Sequence, residues 1–168
     1  MSKIRGFELI SKHSEDPSLL PKRATIASAG YDLSAAENTT IPSIWRLRKI
    51  YTNKTEEDKI FSSILVPTGI KAYMPENEYL MLVNRSSSPL KRNLALPNGV
   101  GIIDADYYNN PSNEGEIFVQ LINYGLEDIQ IKKGDRIAQG IFSKYYTIDD
   151  EEALFDQRLG GFGSTGKN

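Results

Sequence analysis

The chain has 168 residues and a formal net charge of -2, which is enough for one domain with its own core and excludes a general, basic nucleic-acid binder. It contains no cysteine, so disulfides and thiolate zinc sites are excluded and a cytoplasmic setting is expected. No run approaches the ~18 apolar residues of a membrane span, and Met1 to Gly6 lacks the apolar core of a signal peptide.

Taken in order, the chain reads as short strands cut by Pro, Gly, Asn and Asp, the pattern of an all-β domain. Apolar runs fall at residues 6–10, 64–73, 78–83, 117–123, 127–131 and 137–146. Pro75-Glu76-Asn77 and Lys133-Gly134-Asp135 supply turns between them. Many short strands at this spacing close into a barrel or a sandwich. His13, the only histidine, lies in a polar stretch from Ser11 to Pro17 and is expected at the surface. Residues 43–61 join a basic, aromatic half to an acidic, polar half and read as a surface excursion, with Trp45 as a packing anchor. Residues 108–114 form a second polar insertion rich in turn formers. Residues 1–157 then form a single domain, and 158–168 a flexible Gly-rich tail.

Three segments carry candidate chemistry. In the tail, Arg158, Gly163, Ser164 and Thr165 offer the guanidinium, backbone and hydroxyl donors that suit phosphate oxygens, and Phe162 has only glycines nearby and suits a flat base. Arg85-Ser86-Ser87 follows a strand and supplies one cation and two hydroxyls, although an ordinary polar turn has the same composition. The run from Leu96 to Tyr107 places Asp104 and Asp106 on one face of a predicted strand. An aspartate is a weak base at neutral pH, yet it orients a water molecule when held rigidly. A turn cap or an ion pair with Arg136 is the alternative use of these carboxylates. Tyr107 suits either the core or a sugar ring.

These residues resemble the dUTPase family. Ala29-Gly30-Tyr31-Asp32-Leu33-Ser34-Ala35, Arg85-Ser86-Ser87, Gly101-Ile102-Ile103-Asp104-Ala105-Asp106-Tyr107, Gly134-Asp135-Arg136-Ile137-Ala138-Gln139 and Arg158 to Gly166 are similar to its five motifs, in their order. The resemblance implies a jelly-roll β-barrel assembled as a homotrimer, with active sites at subunit interfaces and the tail closing over one of them. It implies Mg²⁺-dependent hydrolysis of dUTP to dUMP and pyrophosphate. Asp104 would orient the attacking water. Asn98 and the backbone of Gly99, Val100 and Ile103 would read uracil, and Tyr107 would pack on the deoxyribose. Arg85, Ser86, Ser87 and Gln139 would hold phosphates, and Asp32 would meet Mg²⁺ through water. Arg158, Ser164 and Thr165 would clamp the γ-phosphate beside Gly163, with Phe162 over the base. Such sparse protein ligation suits Mg²⁺, which keeps its waters and is held largely by phosphates.

Two departures stand out. The glycine that normally follows the third motif closely is delayed to Gly115, and the 43–61 stretch is longer than the usual connection. A dCTP deaminase-like enzyme shares fold and some motifs, but lacks the Asp-x-Asp-Tyr segment and this tail. A regulatory binding protein of the same fold is the other rival, and residues 43–61 leave room for an extra protein partner.

Overall fold

A computed structural model describes residues 3–46 and 63–149. Twelve strands dominate it: β1 (Gly6–Leu9), β2 (Lys22–Arg23), β3 (Tyr31–Ser34), β4 (Thr39–Ile41), β5 (Ile64–Pro67), β6 (Ile70–Tyr73), β7 (Glu78–Val83), β8 (Leu94–Ala95), β9 (Gly101–Asp104), β10 (Phe118–Asn123), β11 (Ile129–Ile131) and β12 (Arg136–Lys144). They form one five-stranded sheet, β2-β3-β12-β7-β9, with smaller sheets β5-β10-β8, β1-β6 and β11-β4. All strand pairings are antiparallel, and the architecture is all-β as expected. No helix among the described residues is long and apolar enough to cross a membrane.

Alternation builds the core. In β7, Glu78, Leu80 and Leu82 point inward while Tyr79, Met81 and Val83 point outward. Leu80 and Leu82 meet Leu33, Val66, Ile70, Val119, Leu121, Ile131 and Ile137 in one cluster. Glu78, only 4% exposed, is matched by a two-pronged bond from Arg5 at 2.7 Å on each oxygen. That bond holds its carboxyl below the usual carboxylate range.

Several expectations change. The predicted run 64–73 is two strands, broken at Thr68 and Gly69, where the chain turns from the β10 sheet to pair with β1. The first two residues of the expected excursion, Ser43 and Ile44, are buried, and Ser43 donates to the Gly125 carbonyl. Trp45 is tied by its indole N–H to the Tyr124 carbonyl at 3.0 Å, yet it stays 47% exposed. The rest of that stretch lies outside the described residues. His13 is not a surface residue: its side chain is 11% exposed, and it packs against Gly69, where a Cβ would stand 2.8 Å from the ring.

Candidate active site

The polar centre of the five-stranded sheet is built across three strands. Asp32 on β3 lies opposite Gln139 on β12, which lies opposite Val83 on β7. Asp32 is 7% exposed and accepts bonds from Arg85 Nε at 3.0 Å, Arg136 Nη1 at 3.0 Å and Gln139 Nε2 at 3.3 Å. Two guanidinium groups on one carboxylate leave the cluster net positive. That suits a polyanion, since a guanidinium has five N–H donors in a planar fork.

A bulge makes this convergence possible. The β12–β3 register shifts between Arg136 and Ala138, so Ile137 is an extra residue on β12. In a regular strand, residues three apart point to opposite faces. The bulge returns Arg136 to the face of Gln139, and both reach Asp32. It also lets Ile137 and Ala138 be buried in succession. Re-aiming of side chains is a common use of such bulges near sites. Gly30 provides the space: a Cβ there would sit 3.1 to 3.2 Å from the Gln139 side chain.

Arg85 leads into a short helix, Ser87–Arg92, with Ser86 exposed and Ser87 half-buried. Pro89 is tolerated in the first turn, where its missing N–H has no helical partner, and Asn93 ends the helix in the left-handed conformation. Asn84 accepts the Leu96 N–H at 3.0 Å. This bond ties the Arg85 segment to the loop between β8 and β9. Asn98, Gly99 and Val100 form the exposed tip of that loop, where Gly99 has φ +73° and the Asn98 carbonyl accepts the Val100 N–H at 2.8 Å. The Ile103 side chain is core, so only its backbone is open to a ligand role.

Asp104 ends β9 opposite Tyr79. It faces the outer side of the sheet and lines a depression of about 260 Å³ with Tyr79, Ile102 and Tyr145. The strand stops there. Asp106 falls in the 3-10 turn Ala105–Tyr107 and is exposed, so the two carboxylates do not share a strand face. Arg136, offered as an ion-pair partner for these acids, pairs with Asp32. Tyr107 is 3% exposed, which matches the core alternative and leaves little of its surface for a sugar. Its hydroxyl donates to the Glu116 carbonyl at 3.1 Å and accepts from Asn113 Nδ2 at 2.7 Å.

Asp104 and the Asp32 cluster share one face but not one place. Tyr79 and Val83, their reference points on β7, are four positions apart, about 13 Å. Between them runs an apolar row, Met81 opposite Ile102 and Ile141, with Ile102 53% exposed. Arg158, Phe162, Gly163, Ser164 and Thr165 lie outside the described residues. Sequence reasoning missed Arg136 and Gly30 as site-forming residues. Their presence within the fourth and first motifs was the available signal.

Comparison with known proteins points one way. A family model described as dUTPase matches residues 16–166. A deoxyuridine 5'-triphosphate nucleotidohydrolase of Lactococcus lactis subsp. lactis is 45% identical over 165 residues, covering 98% of this chain and 99% of the relative. That of Solanum lycopersicum is 34% identical, covering 95% of this chain and 82% of its own. A crystal structure of dUTPase from Streptococcus mutans superposes with a TM-score of 0.73 at 45% identity, over 86% of this chain and 98% of that one. The fold recurs at 17% identity and a TM-score of 0.64 in a dUTPase mutant from phage phi11 of S. aureus, covering 91% of this chain and 98% of that one; that structure is described as coordinating a structural Mg(II) ion.

Proposed function

This chain belongs to the dUTPase family, and we propose that it hydrolyses dUTP to dUMP and pyrophosphate in the cytoplasm, using a water molecule that Asp104 directs at the α-phosphorus. The observation that carries the reading is the convergence of Asp32, Arg85, Arg136 and Gln139, which come from three of the five motifs. Residues distant in sequence meet at one positive cluster, as binding of a polyphosphate requires. In this reading Arg85, Ser86, Ser87 and Gln139 hold phosphates. Asn98, Gly99, Val100 and the Ile103 backbone read the uracil, and Tyr107 borders the sugar. Arg158, Phe162, Gly163, Ser164 and Thr165 belong to a tail that closes over the bound nucleotide and excludes bulk water.

Mg²⁺ fits this donor set. Among the described residues no group of three or more His, Cys, Asp and Glu could hold a metal by itself, and both Asp32 oxygens already accept from guanidinium groups. Asp32 would therefore meet only a water of the ion, most of whose ligands would come from substrate phosphates; a bound ion would supply neutralisation of phosphate charge. The chain's own residues supply position and charge stabilisation, which is most of what phosphoanhydride cleavage needs.

A site shared between chains, as in the expected homotrimer, is supported by the spacing on the outer sheet face. Attack requires reacting atoms ~3–3.5 Å apart, whereas Asp104 and Asp32 of one chain are offset by about 13 Å along the strands and by three strand spacings, about 14 Å, across them. One chain's Asp104 would then serve phosphates held by another chain, with the apolar Met81–Ile102–Ile141 row buried between copies. The test is direct. With Mg²⁺, the purified protein should release pyrophosphate from dUTP far faster than from dTTP, dCTP or UTP. Equal turnover of all four, or ammonia released from dCTP, overturns the reading.

A further inference from the structure

The insertion after Tyr107 is docked at both ends and is tied to the residue before it. Tyr108 donates to Glu8 on β1 at 2.6 Å and meets Tyr73 on β6 edge to face at 6.0 Å. Lys71 on β6 donates to Asn109 at 2.6 Å and lies 5.1 Å from the Tyr108 ring centre. Glu114 accepts from the Ser11 N–H and hydroxyl, at 3.1 and 2.8 Å. Within the loop, the Asn113 carboxamide works in two directions. Its oxygen accepts the Gly115 N–H at 3.1 Å, and its nitrogen donates to the Tyr107 hydroxyl at 2.7 Å. That hydroxyl in turn donates to the Glu116 carbonyl. The Tyr107 ring is therefore held at its tip by two bonds and at its base by the 3-10 turn that begins directly after Asp104.

We propose that Asn113 is a positioning residue for substrate specificity: by fixing the Tyr107 hydroxyl, it makes the ring a rigid wall that rejects a 2'-hydroxyl on the sugar. The inference rests on the function proposed above. Rejection of one added hydroxyl is weak when the wall can retreat, and it strengthens when the site is held in place. A ring that is 3% exposed and bonded at its tip has little freedom to retreat. The insertion thus contributes to selectivity without touching the nucleotide.

The experiment compares kcat/KM for dUTP and UTP, a ratio that loss of folded protein does not change. Asn113→Ala removes the donor to Tyr107 together with the acceptor for the Gly115 N–H. Tyr107→Phe keeps the ring and removes the bonded oxygen. Each should lower the dUTP-to-UTP ratio by roughly fivefold, the order expected for one lost hydrogen bond. The double variant should fall no further, because both changes break the same link. Should Asn113→Ala fail to fold, Tyr107→Phe alone carries the prediction. An unchanged ratio in the folded variants makes the insertion merely structural and overturns the inference. Wild-type protein that fails to discriminate overturns the function reading first, and this inference with it.

Discussion

At the scale of the residue, environment assigns different tasks to similar carboxylates. Asp32 is enclosed by two guanidinium groups and one carboxamide, so its charge serves to hold cations in place. Asp104 sits at a strand end beside aromatic rings on the outer face, where it can meet a substrate. Asp104→Asn should lower kcat by about 100- to 10,000-fold, the usual share of a positioned base, while dUTP binding measured by calorimetry persists. Loss of binding would make Asp104 a structural residue. Glu116 has a third role. Burial pushes its carboxyl above the usual range, against the Gly69 N–H bond, which lowers it. A raised value in the folded state means that the native protein holds this proton more tightly than the unfolded chain does. Its stabilising contribution is therefore present below the ordinary value of 4.5 and is lost as pH rises through the raised value. Glu116→Gln keeps an acceptor for Gly69 and removes the ionised form. It should raise the Tm at pH 7 and lose that advantage below pH 4.5; a gain of equal size at both pH values would contradict the assignment.

At the scale of the element, turns and strands were legible and their irregularities were not. Gly134 and the apolar run of β7 marked a real turn and a real half-buried strand. The bulge at Ile137 carries no such mark, because neither Ile137 nor Ala138 has a preference for it; only pairing with β3 reveals it. The same limit hid the pairing of Arg136 with Asp32 and the burial of His13, both of which depend on contacts far along the chain. The helix Ser87–Arg92 follows a segment with the composition of an ordinary polar turn, and six residues are too few for helical periodicity to show. The polar insertion was visible as a turn-rich segment, and its anchoring to β1 and β6 was not. Its closing residue, Gly115, has φ +78° and leaves no room for a Cβ against the Tyr107 carbonyl. Gly115→Ala should therefore cost about 1–3 kcal/mol in urea unfolding. A variant as stable as wild type would show that the loop relaxes freely.

At the scale of the whole molecule, five short motifs in order suffice to assign the family. What they could not convey was distance. Asp104 and Asp32 lie on a single sheet face, about 13 Å apart along the strands and three strands apart across them. That gap has a consequence for mixtures of damaged chains. Asp104→Asn and Arg85→Ala should each be inactive alone, since every site then lacks one necessary group. Unfolded together and refolded at equal concentration, they should recover about one quarter of wild-type turnover, because random assembly gives that share of sites an intact Asp104 from one chain and an intact Arg85 from another. Pyrophosphate release from the mixture measures it. A mixture as inactive as its components would mean that each chain completes its own site. Two inactive alleles that restore one another would instead make this enzyme's catalytic unit a property of neighbours.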